Sequence, residues 1–151
     1  MPTASVETPF GRLGLIEENG AITQVLWSGP KTSEWTPVLR LAADQVTAYF
    51  AGERTEFDLP LNPAGTEFQQ SVYCAMQAIP MGETKTYGEI AKSLDCPAQP
   101  VGQACGANPI PVIIPCHRVL SAKGVGGFSG CGGVETKIAL LRHENAYPYL
   151  I

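Results

Sequence analysis

The stretch NPIPVIIPCHRV, residues 108–119, restricts this chain more than any other part of it. Pro109, Pro111 and Pro115 each remove a backbone donor and fix φ. Val112, Ile113 and Ile114 are stiff at χ1 and apolar, so they favour burial. Such a segment is neither helix nor free loop. It reads as a rigid, inward-running strut that ends at adjacent cysteine and histidine residues, Cys116 and His117.

The rest of the chain must supply a core for that strut to enter. With 151 residues, 44% hydrophobic and 16% charged, it has the make-up of a soluble globular protein of one domain or two small lobes. No apolar run approaches a membrane span. The start, MPTASVETPFGR, lacks the basic and apolar regions of a signal peptide. Five cysteines and no secretion signal point to thiols in a reducing cytoplasm. No two form a CxxC pair and only His117 and His143 are histidines, so the spacing suggests no zinc site.

A net charge of −4 at first disfavours a nucleic-acid partner. The charge is uneven, however. Residues 1–68 hold four basic and nine acidic side chains, giving −5, and residues 69–151 hold six and five, giving +1. Only the second part suits a polyanion.

Patterning divides the chain in the same place, into an N-terminal lobe at 1–62 and a C-terminal domain at 66–147. FGRLGLIEENGAITQVLW alternates and breaks at Asn19-Gly20, a hairpin signal. Residues 37–52 read as a helix with Val38, Leu39, Leu41, Ala42, Val46 and Tyr49-Phe50 near one face, and EFDLPL as a short strand. LNPAG is a linker. Thr66 with Gln69 and Thr86 with Glu89 have capping-box spacing, which starts helices at TEFQQSVYCAMQAI and YGEIAKSL. QPVGQACGA follows after a short link, so the pair forms a helix–turn–helix. The last helix, VETKIALLRHENA, places Val134, Ile138 and Leu141 on one stripe. The expected fold class is α+β: a small hairpin-based sheet with a helix, then a mostly helical domain.

The second helix of that pair carries Gly102, Ala104, Gly106 and Ala107 and almost no side chain long enough to read base edges. Small residues either pack tightly on the first helix or let a backbone approach something narrow. The thiol presents a similar choice. A buried cysteine is ordinarily inert, with a raised pKa. It becomes a nucleophile only if a base and an orienting group converge on it, and His117 with Glu144 could serve.

NPIPVIIPCHRV, with GTEFQQSVY and TYGEIA upstream and GGFSG and GGVETKIALLRHE downstream, resembles the O6-alkylguanine-DNA alkyltransferase family, the methylated-DNA–protein-cysteine methyltransferases. The likeness is close over about 65–145; the N-terminal lobe matches in size and pattern only. It implies double-stranded DNA containing alkylated guanine as partner, with the target base flipped out of the stack. Cys116 would take the alkyl group in one displacement, His117 accept the thiol proton through a water, and Glu144 stabilise the imidazolium. Tyr87 matches the tyrosine that assists the leaving guanine, Lys137 the lysine that tunes it, and Asn108 the asparagine that ties strut to reactive turn. Arg118 would anchor structure. Val119 and Ser129 match positions whose backbone binds the base, and Phe128 would line the pocket. Ala98, Gln99, Pro100 and Gly102 fall where the family meets the minor groove, and Ser121 and Lys123 where phosphates would lie. No cofactor or metal is implied, each molecule would act once as a monomer in the cytoplasm, and O4-alkylthymine is a further candidate substrate.

Two positions depart from the family pattern. Gln99 replaces a usual arginine and Gly106 a second basic residue, so weaker DNA affinity and a shallower salt dependence are expected. Two other readings compete with the transferase. One is a non-catalytic, alkyltransferase-like damage-binding protein, which Cys116 argues against, because those proteins replace the motif cysteine. The other is an unrelated cysteine hydrolase or redox protein, for which the sequence offers no resolving cysteine or acyl pocket.

Overall fold

The computed structural model describes residues 1–122, 124 and 133–146. Two compact units divide the chain, Met1–Ala64 and Gly65–Ile151.

In the first unit, strands β1 (Thr3–Thr8), β2 (Gly11–Glu18) and β3 (Ala21–Trp27) form an antiparallel sheet in the order β1-β2-β3. The β2–β3 turn is made by Asn19 at φ 52° and Gly20 at φ 82°, the positive pair that a two-residue hairpin requires. Leu13, Leu15, Ile22 and Val25 point inward. Helix α1 (Pro37–Phe50) packs on this sheet. It starts at Thr36, whose Oγ1 accepts the Leu39 N–H at 3.1 Å, with Pro37 in the first turn, where its missing donor costs nothing. Its buried stripe is Leu39, Ala42, Ala43, Val46 and Tyr49. Burying one such aliphatic side chain contributes about 1.5–3 kcal/mol.

Two expectations are corrected here. Leu41 is 45% exposed, because it stands two residues on from Leu39 and so faces away from the stripe. EFDLPL is no strand. Pro60 lacks a donor, and the segment makes one parallel bridge, Leu61 to Ile22. The extra strand comes instead from β1, whose register runs from Thr3 opposite Ile16 to Thr8 opposite Gly11. Gln45 fastens the irregular 56–61 stretch to α1: its Nε2 donates to the Asp58 carbonyl at 3.0 Å and its Oε1 accepts the Asp58 N–H at 2.8 Å.

The second unit contains α2 (Glu67–Gln77), β4 (Lys85–Thr86), α3 (Tyr87–Ser93), α4 (Ala98–Gly106), β5 (Val119–Leu120) and α5 (Val134–His143). Both capping boxes form. Thr66 and Gln69 exchange bonds at 3.1 and 2.8 Å, and Thr86 and Glu89 at 3.0 and 2.9 Å. Helices α3 and α4 pack together across residues 94–97, where Asp95 turns the chain at φ 54°. The buried face of α4 is Val101, Ala104 and Cys105. In α5 the inward residues are Lys137, Leu140 and Leu141. Val134 is 42% exposed, since it stands in the first turn, where the helix begins.

Candidate active site

From Ile110 to Leu120 every residue is buried, as the apolar run requires, but the segment folds back through turns instead of running straight. Ile114 donates its N–H to the Ile110 carbonyl at 2.9 Å. Pro115, at φ −81° and ψ 69°, then centres a three-residue inverse γ-turn in which the Cys116 N–H reaches the Ile114 carbonyl at 2.8 Å. Asn108 holds both ends of this fold. Its Oδ1 accepts the Ile110 N–H at 3.0 Å and its Nδ2 donates to the Ile114 carbonyl at 2.8 Å. Residues Cys116–Arg118 form a short 3-10 turn, and β5 follows at once. The parallel pairing of β5 with β4 sets Lys85 opposite Val119 and Thr86 opposite Leu120. Tyr87, the residue after β4, is thereby brought to the chain that leaves the thiol.

Beside the thiols, the buried polar side chains of this unit include His117, Arg118, Lys137 and Glu144. Glu144 Oε2 accepts from His117 Nε2 at 2.7 Å. Arg118 approaches the same carboxylate with two nitrogens, Nε to Oε1 and Nη2 to Oε2, both at 2.9 Å. Its Nη1 donates to the Ile79 carbonyl at 2.6 Å. Arg118 is thus an anchor, as expected. Burial alone would raise the Glu144 carboxyl, but the hydrogen bonds and charges of His117 and Arg118 outweigh it and bring the group down to about 2. An ionised Glu144 can only accept, so His117 Nε2 carries the hydrogen and Nδ1 presents its lone pair. Nδ1 is buried, and no group among the described residues bonds it. Burial holds His117 below its ordinary pKa against the pull of Glu144, with Arg118 and Lys137 adding to the lowering. The imidazole is therefore a neutral acceptor, already oriented.

Cys116 is 8% exposed. Burial raises its thiol pKa, while an Asn108 hydrogen bond, the charge of Lys137 and the backbone donors of Cys116 and His117 pull it down. The sulfur rests as a thiol and needs a base to react. Lys137 Nζ lies 5.7 Å from the centre of the Tyr87 ring, within reach of a cation–π contact. Burial brings Lys137 down to about 8, and the two thiols Cys116 and Cys105 oppose that fall. Burial, then the same two cysteines, raises Tyr87, which keeps its hydroxyl a donor.

Ala98 and Gln99 are exposed on the first turn of α4, with Pro100 and Gly102 half-buried beside them. Val119 is fully buried. Ser121 donates to the Gly124 carbonyl at 3.4 Å. Lys123, Phe128 and Ser129 lie outside the described residues. Sequence reasoning left Cys105 without a role, yet it is part of this cluster. Its Sγ meets Met76 Sδ at 3.6 Å, and burial pushes its thiol up to about 12. The signal was the spacing of Val101, Ala104 and Cys105 along one helix face. Among the described residues, no three His, Cys, Asp or Glu side chains gather as a metal site would require.

A thiol, an imidazole turned by a carboxylate, and a helix–turn–helix in one unit define a class: an α+β protein that performs cysteine chemistry beside a DNA-binding motif. Family comparison makes the assignment particular. The description "6-O-methylguanine DNA methyltransferase, DNA binding domain" matches residues 67–146, and the ribonuclease-like domain of the same family matches 1–63. The chain belongs to the 6-O-methylguanine DNA methyltransferase family. It is 43% identical over 152 aligned positions to the methylated-DNA–protein-cysteine methyltransferase of Mycobacterium tuberculosis H37Rv, covering 94% of this chain and 91% of that one. The corresponding Methanosarcina acetivorans protein is 49% identical over 154 positions, covering 95% and 97%. The crystal structure of M. tuberculosis O6-methylguanine methyltransferase superposes with a TM-score of 0.83 at 41% identity, covering 96% and 93% of the two chains. M. tuberculosis OGT in complex with DNA superposes at 0.82 and 41%, covering 95% and 92%.

Proposed function

We propose that this protein repairs DNA by moving the alkyl group of O6-alkylguanine onto its own Cys116. The observation that carries this reading is the buried His117, with Nε2 committed to Glu144 at 2.7 Å and Nδ1 left to accept a proton. In the reaction, the Cys116 proton passes through a water to Nδ1, and Glu144 stabilises the imidazolium that forms. The thiolate attacks the alkyl carbon. A carbon–sulfur bond forms, the carbon–O6 bond breaks, and its electron pair leaves with the guanine, which the Tyr87 hydroxyl assists by hydrogen bonding. Lys137 supports both partners, since its charge favours the thiolate and lies over the tyrosine ring. The product is an S-alkylcysteine, a stable thioether, so each molecule acts once.

The division of labour follows the sequence. Residues 66–147 bind DNA and accept the alkyl group. Ala98, Gln99, Pro100 and Gly102 meet the minor groove of a duplex whose damaged base is turned out. The family resemblance assigns Val119, Phe128 and Ser129 to recognition of that base, and Ser121 and Lys123 to the phosphates. O4-alkylthymine is a second candidate substrate. The protein acts as a monomer in the cytoplasm, as the family resemblance implies. Among the described residues no helix is long and apolar enough to cross a membrane.

Incubation with a duplex containing O6-methylguanine is expected to add one methyl group, found by mass spectrometry on Cys116. Cys116→Ser is expected to gain none and still to bind the damaged duplex. Binding by the wild-type chain with no gain in mass would instead establish the non-catalytic reading, and methylation elsewhere would displace Cys116 as acceptor.

A further inference from the structure

Val112 adopts φ +71°, a region a β-branched residue ordinarily avoids. It centres a three-residue turn, in which the Ile113 N–H donates to the Pro111 carbonyl at 2.9 Å. Turns of this form with positive φ are rare and strained. Strain persists only where the surroundings over-determine it, and it gathers where function depends on geometry.

The surroundings here do over-determine it. The bond from Ile114 N–H to Ile110 carbonyl, 2.9 Å, closes a loop of which Val112 is the tip. Asn108 bonds both sides of the loop's mouth, at Ile110 and Ile114. Val112 itself is 2% exposed, so its isopropyl group is held in the interior. Glycine would take this φ without strain, and the chain does use glycine at positive φ elsewhere, at Gly20, Gly52 and Gly82 among others. Valine at this position adds a buried anchor and a stiff χ1.

The tip leads directly to the nucleophile. The Ile114 carbonyl accepts from both Asn108 Nδ2 and the Cys116 N–H, at 2.8 Å each. Whatever fixes the direction of that carbonyl fixes the Cys116 backbone and hence its sulfur. We propose that Val112 is a positioning residue for alkyl transfer, its anchored, strained turn aiming Cys116 through the shared Ile114 carbonyl.

This inference rests on the alkyl-transfer reading above. The test is single-turnover transfer from an O6-methylguanine duplex over a range of DNA concentrations, which separates half-saturation from the maximal rate constant. It is applied to the wild type, Val112→Gly and Val112→Ile. Glycine is expected to lower the maximal rate constant about 10-fold or more with half-saturation unchanged, because misaimed reacting groups lose rate without losing binding. Isoleucine, which keeps both anchor and strain, is expected to restore the rate. A wild-type rate constant in Val112→Gly, or an equal loss of affinity and rate, overturns the proposal. Should the glycine variant not fold, Val112→Ala is judged by the same split, and a wild-type rate constant there overturns it too. A wild-type protein that gains no methyl group would refute the underlying reading instead.

Discussion

Gln45 in the first unit and Glu144 in the second are both buried side chains that tie separate chain segments together. Gln45 does so with a neutral amide matched to one backbone N–H and one carbonyl of Asp58. Glu144 does so with a charge, shared between the imidazole of His117 and the guanidinium of Arg118. The amide is satisfied and uncharged, so it contributes to the stability of the fold and to no chemistry. The carboxylate has been taken out of water at a cost of several kcal/mol, which its two partners must offset. That arrangement is a poor way to stabilise a fold and a good way to hold a histidine neutral and oriented. The two units therefore differ less in how well their buried polar groups are bonded than in whether those bonds carry a charge.

Removing each tie should expose that difference. Glu144→Gln is expected to destabilise the protein by about 3–5 kcal/mol, since it strands a buried Arg118 charge, and also to slow methyl transfer. Gln45→Ala is expected to cost about 1–3 kcal/mol and to leave transfer by the folded protein unchanged. Urea denaturation and single-turnover kinetics on the same samples decide this. Equal kinetic effects would erase the contrast.

Acid and alkali sharpen it further. Glu144 falls from its ordinary 4.5 to about 2 in the folded chain. Its contribution is thus fully present above about pH 4.5 and is lost as pH falls toward 2. Lys137 falls from 10.5 to about 8. Between those values the unfolded chain binds more protons than the folded one, so this group makes stability rise with pH across that window. The difference in denaturation midpoint between wild type and Glu144→Gln is expected to shrink below pH 4.5, and that between wild type and Lys137→Met to change between pH 8 and 10.5. A Gln45→Ala difference should stay flat throughout.

The smallest effect is expected on the exposed face of α4. Gln99→Arg should tighten binding to methylated duplex and steepen its salt dependence by about one released counterion. Titration at several salt concentrations measures this, and an unchanged slope would take Gln99 off the DNA-facing surface.

Features set by near neighbours were legible in the letters. Asn19-Gly20 can hardly be anything but a tight turn, and the Thr66–Gln69 and Thr86–Glu89 boxes announce their helices from four residues each. The pairing of His117 with Glu144 was reachable because few carboxylates follow the motif. Features set at a distance were not legible. The first strand depends on β2 for its register, and nothing in TASVET marks it. Leu41 reads as core only until the helix phase is fixed by the sheet beneath. No letter in PVII signals that a valine would accept positive φ, since the loop that forces it is closed by Asn108 and by bonds within 110–114. Arg118 was expected to anchor structure, but the carbonyl it finds belongs to Ile79, far back along the chain.

That last contact has a consequence for motion. Through one guanidinium, the residue just beyond α2, the reactive turn and the residue that ends α5 are fastened at a single point. These stretches should open to solvent together in native-state hydrogen exchange, as one cooperative block, instead of fraying one helix end at a time.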